Sequence, residues 1–235
     1  MEDLKMIPKK IHYCWFGRKE LPEKAKRCIE SWKKYCPEYE LVEWNEDNTN
    51  ISLNPYTQWC YDNKKFAFLS DYIRLIVIEE YGGIYFDTDV EVIRAFDDLL
   101  DFKAFFGFET NEFVNTGVGF GAEAHNPIVE QMIREYEPLL DGKHGVIGCP
   151  HLNTNALLKF GLKQNGKLQN LDNAVVFPVE YFNPYDAPTG CLNKGTMTYS
   201  IHWYAASWMN KKQKLRGAIS KPLHRLLGKD FFRRI

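Results

Sequence analysis

The residues best equipped for chemistry are Asp87 and Asp89, which close the stretch YGGIYFDTD running from Tyr81 to Asp89. Carboxylates at i and i+2 share one face of a strand. At a strand's end the backbone can turn, and both then reach a common point. Hard divalent cations take oxygen ligands and keep positions for water or phosphate oxygens. One or two carboxylates plus the oxygens of a diphosphate therefore make a chemically complete magnesium or manganese site. The triplet alone is weak evidence and fits two solvated acids in a turn better. Its setting favours the ligand reading. Gly82-Gly83 and the apolar Ile84-Tyr85-Phe86 place the acids at the mouth of a buried strand, where open α/β sheets bind ligands.

A second charged set lies upstream in SDYIR, Ser70–Arg74. Asp71 and Arg74 are three apart on a mostly apolar helical pattern and are neighbours on one face. Buried charges are paired. The pair reads either as a structural ion pair against a sheet or as a claw offering acceptors and donors to a polyol. Asn115, Thr116 and Gly117 form a polar turn between two apolar strands, and Glu109 ends the preceding strand. These four fit a hairpin connection, or a lining beside a transferred group, with Glu109 and Asn115 as candidates to stabilise a developing cation. Trp15 sits at the end of the first strand, as core or as stacking platform. His12 reads as a buried, hydrogen-bonded histidine. His202 lies in an alternating strand and is structural or, as a neutral imidazole, a ligand suited to manganese. No histidine–serine–acid set suggests a hydrolase triad, and no GxxxxGK[ST] suggests a phosphate loop.

Stepping outward to the elements that must hold these residues, Ile11–Phe16 reads as a first strand, 22–35 as a helix opened by Pro22, and Tyr39–Trp44 as a second strand. This β-α-β opening is that of nucleotide-binding α/β folds. The spacing predicts a long helix over 64–81, stopped by Gly82-Gly83. Strands are predicted at 84–86, 90–93, 105–108, 117–120, 175–177 and 198–203, with helices over 127–140 and 153–163.

The bulk numbers fit one α/β domain. The chain has 235 residues, 45% hydrophobic and 26% charged, without repeats or low-complexity tracts. Its six cysteines have no CxxC spacing and read as reduced core thiols. No apolar run approaches the roughly 18 residues of a membrane span, and Met1–Lys10 lacks an apolar signal core, so a cytoplasmic location is expected. The net charge of −1 hides an asymmetry: residues 211–235 hold nine Lys or Arg against Asp230, a formal +8 that leaves −9 on residues 1–210. The expected division is thus a catalytic domain over 1–210 and a basic amphipathic helical segment over 211–235. That segment is either packed on the domain or bound to an anionic membrane surface, which would make the protein peripheral on the inner face of the cell membrane. No nucleic-acid partner is expected.

The linked pattern SDxxR…YGGxYxDxD, with IPKKIHYCWFG (7–17), NTGVGFGA (115–122) and YSIHWYAASW (199–208), resembles the glycosyltransferase family 32 enzymes. These include bacterial polysaccharide transferases and yeast-type mannosyltransferases. The chain is more distantly similar to the glucosylating domains of large clostridial toxins. The resemblance implies a GT-A fold, a Rossmann-like sheet flanked by helices, a Mn²⁺ or Mg²⁺ ion, and retention at the anomeric carbon. It implies metal binding by Asp89, contacts of Asp87 with ribose, sugar or metal, and a grip on the donor sugar by Asp71 and Arg74. It implies a base-stacking Trp15, a His202 that completes the metal or diphosphate site, and Trp208 near the leaving diphosphate. Ile11, Tyr85 and Thr88 join the nucleotide-sugar set by the same resemblance. Donor identity varies within the family, with a UDP-sugar expected ahead of a GDP-sugar. The acceptor is a glycan or lipid-linked oligosaccharide, most simply in polysaccharide synthesis. Two other readings use the same residues: a nucleotide-sugar hydrolase, and a non-catalytic sugar-binding protein.

Overall fold

The computed structural model describes residues 7–204; Trp208 and the basic segment 211–235 lie outside the described residues. The chain runs β1 (Lys10–Cys14), α1 (Glu23–Tyr35), β2 (Glu40–Trp44), α2 (Pro55–Asp62), α3 (Phe66–Tyr81), β3 (Gly83–Tyr85) and β4 (Val90–Val92). It continues with β5 (Ala104–Gly107), β6 (Phe120–Ala122), α4 (Pro127–Arg134), α5 (Cys149–Leu158), β7 (Gln169–Leu171) and β8 (Ala174–Phe177). It then passes through α6 (Val179–Phe182), β9 (Tyr185–Asp186) and β10 (Cys191–Leu192) to β11 (Ser200–His202).

A seven-stranded sheet in the order β2-β1-β3-β6-β5-β8-β7 forms the middle layer. β2, β1 and β3 are mutually parallel, β6 runs antiparallel between β3 and β5, and β8 is parallel to β5. The C-terminal ends of β1, β2, β3 and β5 therefore emerge along one edge, and the residues entering β6 arrive at that same edge. Side chains alternate across the sheet. Ile84 and Phe86 enter one core with Trp32 of α1, whereas Tyr85 enters the other with α2, α3, α4 and α5. Asp87 shares the parity of Tyr85, so it is on the side from which α3 supplies Arg74.

α3 is apolar nearly all round and buries Leu69, Ile73, Leu75, Val77 and Ile78, as expected of a helix packed on more than one side. It ends because Gly82 and Gly83 adopt φ of +62° and +108°, which an L side chain resists. A Cβ on Gly83 would come within 3.0 Å of His12 Nε2. The strand thus starts against β1 with no slack, and the position of Asp87 follows from that start.

Sequence and structure part at several elements. The helix expected over 127–140 stops at Arg134 and resumes as a 3₁₀ turn at Glu137–Leu139, because Pro138 has no N–H to continue it. α5 begins at Cys149, four residues before the expected start, with Pro in its first turn. α2 was not expected, although Asn54 and Thr57 form a reciprocal capping box ahead of it. Residues 117–119 are loop, and β6 begins only at Phe120.

His12 is buried between strands, as expected. Its Nδ1 faces the indole N–H of Trp44 at 3.1 Å and its Nε2 faces the carbonyl of Gly82 at 3.0 Å. The indole can only donate, so Nδ1 accepts and Nε2 carries the proton. Burial pushes His12 down from 6.5 to about 4. The unfolded chain therefore takes up this proton first, and stability falls as pH drops from 6.5 to about 4. The contribution is about 3 kcal/mol. Denaturant titrations of wild type and His12→Gln over this window should give a steeper loss for wild type, relative to each protein's value at pH 7. Parallel profiles would remove His12 from the account.

Candidate active site

Phe86 leaves β3 still bonded to β1, its N–H donating to the carbonyl of His12 at 3.1 Å. The chain then reverses in a turn closed by Val90 N–H to Asp87 O at 3.0 Å. This turn places both acids outside the strand proper. α1 fixes it from below: Trp32 Nε1 donates to Val90 O at 2.7 Å, and Val92 N–H donates to Ser31 Oγ at 2.9 Å. β4 then pairs antiparallel with β11 in a register that sets His202 opposite Val90. Trp203 N–H donates to Asp89 O at 3.0 Å. The pairing delivers His202 Nε2 to 3.0 Å from Asp89 Oδ1.

Asp87, Asp89 and His202 each offer a ligand atom, and these atoms lie within 4.8 Å of one another. Two carboxylate oxygens and an imidazole nitrogen are a donor set that Mn²⁺ or Mg²⁺ accepts. Burial pushes His202 down, but the charges of Asp89, Asp87 and Glu109 outweigh it and its net shift is upward. Burial raises Asp87, against the pull of Arg74 and with the push of Asp89. Asp71 is lifted to about 6 by burial, Arg74 opposing and Asp87 adding. Asp71, Asp87, Asp89 and Glu109 stand around Arg74 and one histidine, an excess of carboxylates over cations. A divalent cation relieves such a surplus.

Arg74 is 2% exposed. Its Nη2 donates to Asp71 Oδ1 at 2.5 Å and lies 3.0 Å from Asp87 Oδ1, and its Nε donates to Ser70 O at 3.2 Å. The guanidinium lies 4.8 Å from the ring centroid of Tyr85, a cation–π distance. Tyr85 is itself buried and its hydroxyl donates to Asp87 Oδ1 at 3.3 Å. Nη1 of Arg74 is buried with no protein partner. A Cβ on Gly117 would lie 2.8 Å from it and would also run into Asp87 Oδ2. Glycine here lets the backbone close on the guanidinium and the carboxylate together.

Asn115 organises the loop entering β6. Its Oδ1 accepts from Gly117 N–H at 2.6 Å and from Cys149 Sγ at 3.3 Å, and its Nδ2 donates to Glu109 Oε1 at 3.1 Å. Thr116 is tied to α5 through Asn153 Nδ2 at 3.0 Å. The structure thus gathers Asp71, Arg74, Asp87, Asp89, Glu109, Asn115 and His202 at one sheet edge. Thr88 is half-buried in the same turn. Trp15 is half-buried beyond the end of β1, on a cleft of about 210 Å³ shared with Arg18, Glu43 and Asn45.

Two residues of the expected nucleotide-sugar set lie deep in the fold. Ile11 is 0% exposed between β2 and β3 in the α1-side core, so its side chain has no route to a ligand. Tyr85 is 1% exposed and supports Arg74 and Asp87 from beneath. Sequence reasoning missed Cys149, read as a plain core thiol, and also Asn153, Asn183 and Tyr204. Only Tyr204 carried a signal, its place two residues after His202.

Residues 22–106 match the family described as "Glycosyltransferase sugar-binding region containing DXD motif". The resemblance drawn from the motifs is borne out. The chain is 30% identical over 132 residues to "Inositol phosphoceramide mannosyltransferase 3" of Schizosaccharomyces pombe, covering 54% of this chain and 36% of that protein. It is 29% identical over 104 residues to "Mannosyl phosphorylinositol ceramide synthase SUR1" of Saccharomyces cerevisiae, covering 43% and 27%. The chain thus spans well under half the length of these curated relatives. Among solved structures, "PaToxG Glycosyltransferase" superposes with a TM-score of 0.55 at 21% identity, over 66% of this chain and 69% of that one. The architecture is the mixed α/β, GT-A-type glycosyltransferase fold.

Arg74 and Gly117 separate stability from site geometry. Removing Arg74 leaves two part-buried carboxylates without their shared cation, at a cost of up to about 3–5 kcal/mol, so Arg74→Ala should lose stability and donor binding together. A methyl at Gly117 would press on the Asp87 and Arg74 side-chain ends and on Asn115 Oδ1. Gly117→Ala should lower the melting temperature less than Arg74→Ala does and lower turnover by about 10²-fold. Calorimetry and donor turnover on both variants check this; an Arg74→Ala protein of normal stability would contradict it.

Proposed function

We propose that this chain is a glycosyltransferase that moves a sugar from a nucleotide-sugar donor to a hydroxyl of a glycan or lipid acceptor, with a divalent ion held by Asp87, Asp89 and His202. The observation that carries the reading is the convergence of those three side chains, with ligand atoms within 4.8 Å, beside the unpartnered Nη1 of Arg74. The match of residues 22–106 to the DXD region supports it independently.

Each side chain has a task in that reaction. Asp71 offers an acceptor to sugar hydroxyls, and Arg74 holds it and Asp87 in place. Trp15 presents an aromatic face to the base at the ends of the parallel strands. Glu109 and Asn115 lie where a carboxylate and an amide can steady an oxocarbenium-like centre. When bound, Mn²⁺ or Mg²⁺ would offset charge growing on the departing diphosphate. Retention with front-face attack fits a site that has no committed nucleophile. The names of the fungal relatives favour mannose as the sugar and a lipid as the acceptor. Polysaccharide assembly, the setting expected from the sequence, uses the same chemistry on a lipid-linked glycan. UDP- and GDP-sugars are both to be tried. The +8 of residues 211–235 suits an acceptor presented at an anionic membrane, and truncation after Asn210 should then abolish binding to anionic vesicles at low salt while sparing donor hydrolysis. Equal vesicle binding by the truncated protein would remove that part of the proposal.

A panel of nucleotide sugars with Mn²⁺ should yield one donor that is turned over, with activity lost in EDTA and restored by Mn²⁺ or Mg²⁺. Asp89→Ala should fold normally and be inactive. Full turnover in EDTA would overturn the metal reading; the absence of turnover or binding for every donor would overturn the transferase reading.

A further inference from the structure

Tyr204 follows β11 with φ of +47°, in the left-handed region that non-glycine residues seldom occupy. A bulky aromatic held there signals a surrounding structure that over-determines it. Three contacts do so. Its ring centroid lies 4.1 Å from that of His202. Its hydroxyl donates to Glu109 Oε1 at 3.1 Å. The same hydroxyl accepts from Asn183 Nδ2 at 2.6 Å, and that amide also donates to Glu109 O at 3.1 Å.

The consequence is a single hydrogen-bonded chain across the site. Asn183, at the end of α6, holds the backbone of Glu109 and the phenol of Tyr204. Tyr204 and Asn115 both bond Glu109 Oε1, which fixes the rotation of that carboxylate. Asn115 passes the constraint on to Gly117 and Cys149. A carboxylate accepts, so the phenol donates to Glu109. On its other side the ring covers His202, whose Nε2 is turned to Asp89. A metal-ligating imidazole needs its plane fixed from outside the ligand set, and the Nδ1 of His202 is buried without a hydrogen-bond partner. The aromatic contact with Tyr204 therefore supplies the fixing that a hydrogen bond at Nδ1 supplies elsewhere.

We propose that Tyr204 is a positioning residue with two separable actions: its ring sets the plane of His202 for the metal, and its hydroxyl sets the carboxylate of Glu109 for the sugar. This rests on the metal-dependent transferase reading. The two actions are separated by Tyr204→Phe, which keeps the ring, and Tyr204→Leu, which loses both. Mn²⁺ affinity, measured by titration calorimetry without any donor, should stay near wild type in the Phe variant and weaken by about tenfold in the Leu variant. Donor turnover at saturating Mn²⁺ should fall by about tenfold in the Phe variant, in kcat more than in KM. Adding Glu109→Gln to Tyr204→Phe should then cost less than the two single losses together. Wild-type Mn²⁺ affinity in Tyr204→Leu would overturn the action on His202. Wild-type kcat in Tyr204→Phe, or additive losses with Glu109→Gln, would overturn the action on Glu109. Failure of the wild-type chain itself to bind Mn²⁺ would overturn the metal reading, and the His202 action with it.

Discussion

A buried guanidinium shared between two carboxylates governs this structure. Arg74 stands in an apolar helix, almost wholly out of water, and one of its nitrogens serves both Asp71 on its own helix and Asp87 beyond the next strand. A charge so placed is tolerated only where its partners are held in good geometry. The glycine-ended helix, the strand that starts against His12, the Tyr85 ring beneath and the bare backbone of Gly117 above are all conditions for that pairing. The same conditions place Asp87 where a cation and a diphosphate could share it. Packing constraint and site geometry are one arrangement seen from two sides.

The electrostatic balance is deliberately incomplete. Arg74 leaves a donor unpaired at a buried position, and the acids around it are shifted toward their neutral forms by burial and mutual repulsion. In a site with only a structural purpose, an unsatisfied buried donor and a cluster of acids would each cost stability. Together, a buried donor without a protein partner and a cluster of acids describe a charge balance that these side chains alone leave incomplete.

The second support comes from far along the chain. β11 pairs with β4 outside the main sheet and returns His202 to Asp89, while Tyr204 reaches back to the end of β5. The loop into β6 and the start of α5 bring Asn115, Gly117 and Cys149 to the same edge. The site is therefore assembled from the ends of parallel strands, which share a direction, and closed by two late segments, which contribute only a few residues each.

The acids at 87 and 89, the pair at 71 and 74, the long helix and its glycine stop, and the β-α-β opening were legible in the sequence, because each is a local pattern of period, polarity or backbone freedom. So was the character of His12. The partnership of His202 with Asp89 could be expected only by resemblance, since it depends on a strand pairing between distant segments that no local pattern specifies. Burial was not legible either: the resemblance put Ile11 and Tyr85 in the nucleotide-sugar set, yet the layers above and below enclose them. Cys149, Asn153 and Asn183 look ordinary in sequence and, like Tyr204, acquire their places from hydrogen bonds across the fold. Short-range order follows from neighbours along the chain, whereas the site depends on which strand ends the sheet brings side by side, and only tertiary packing decides that.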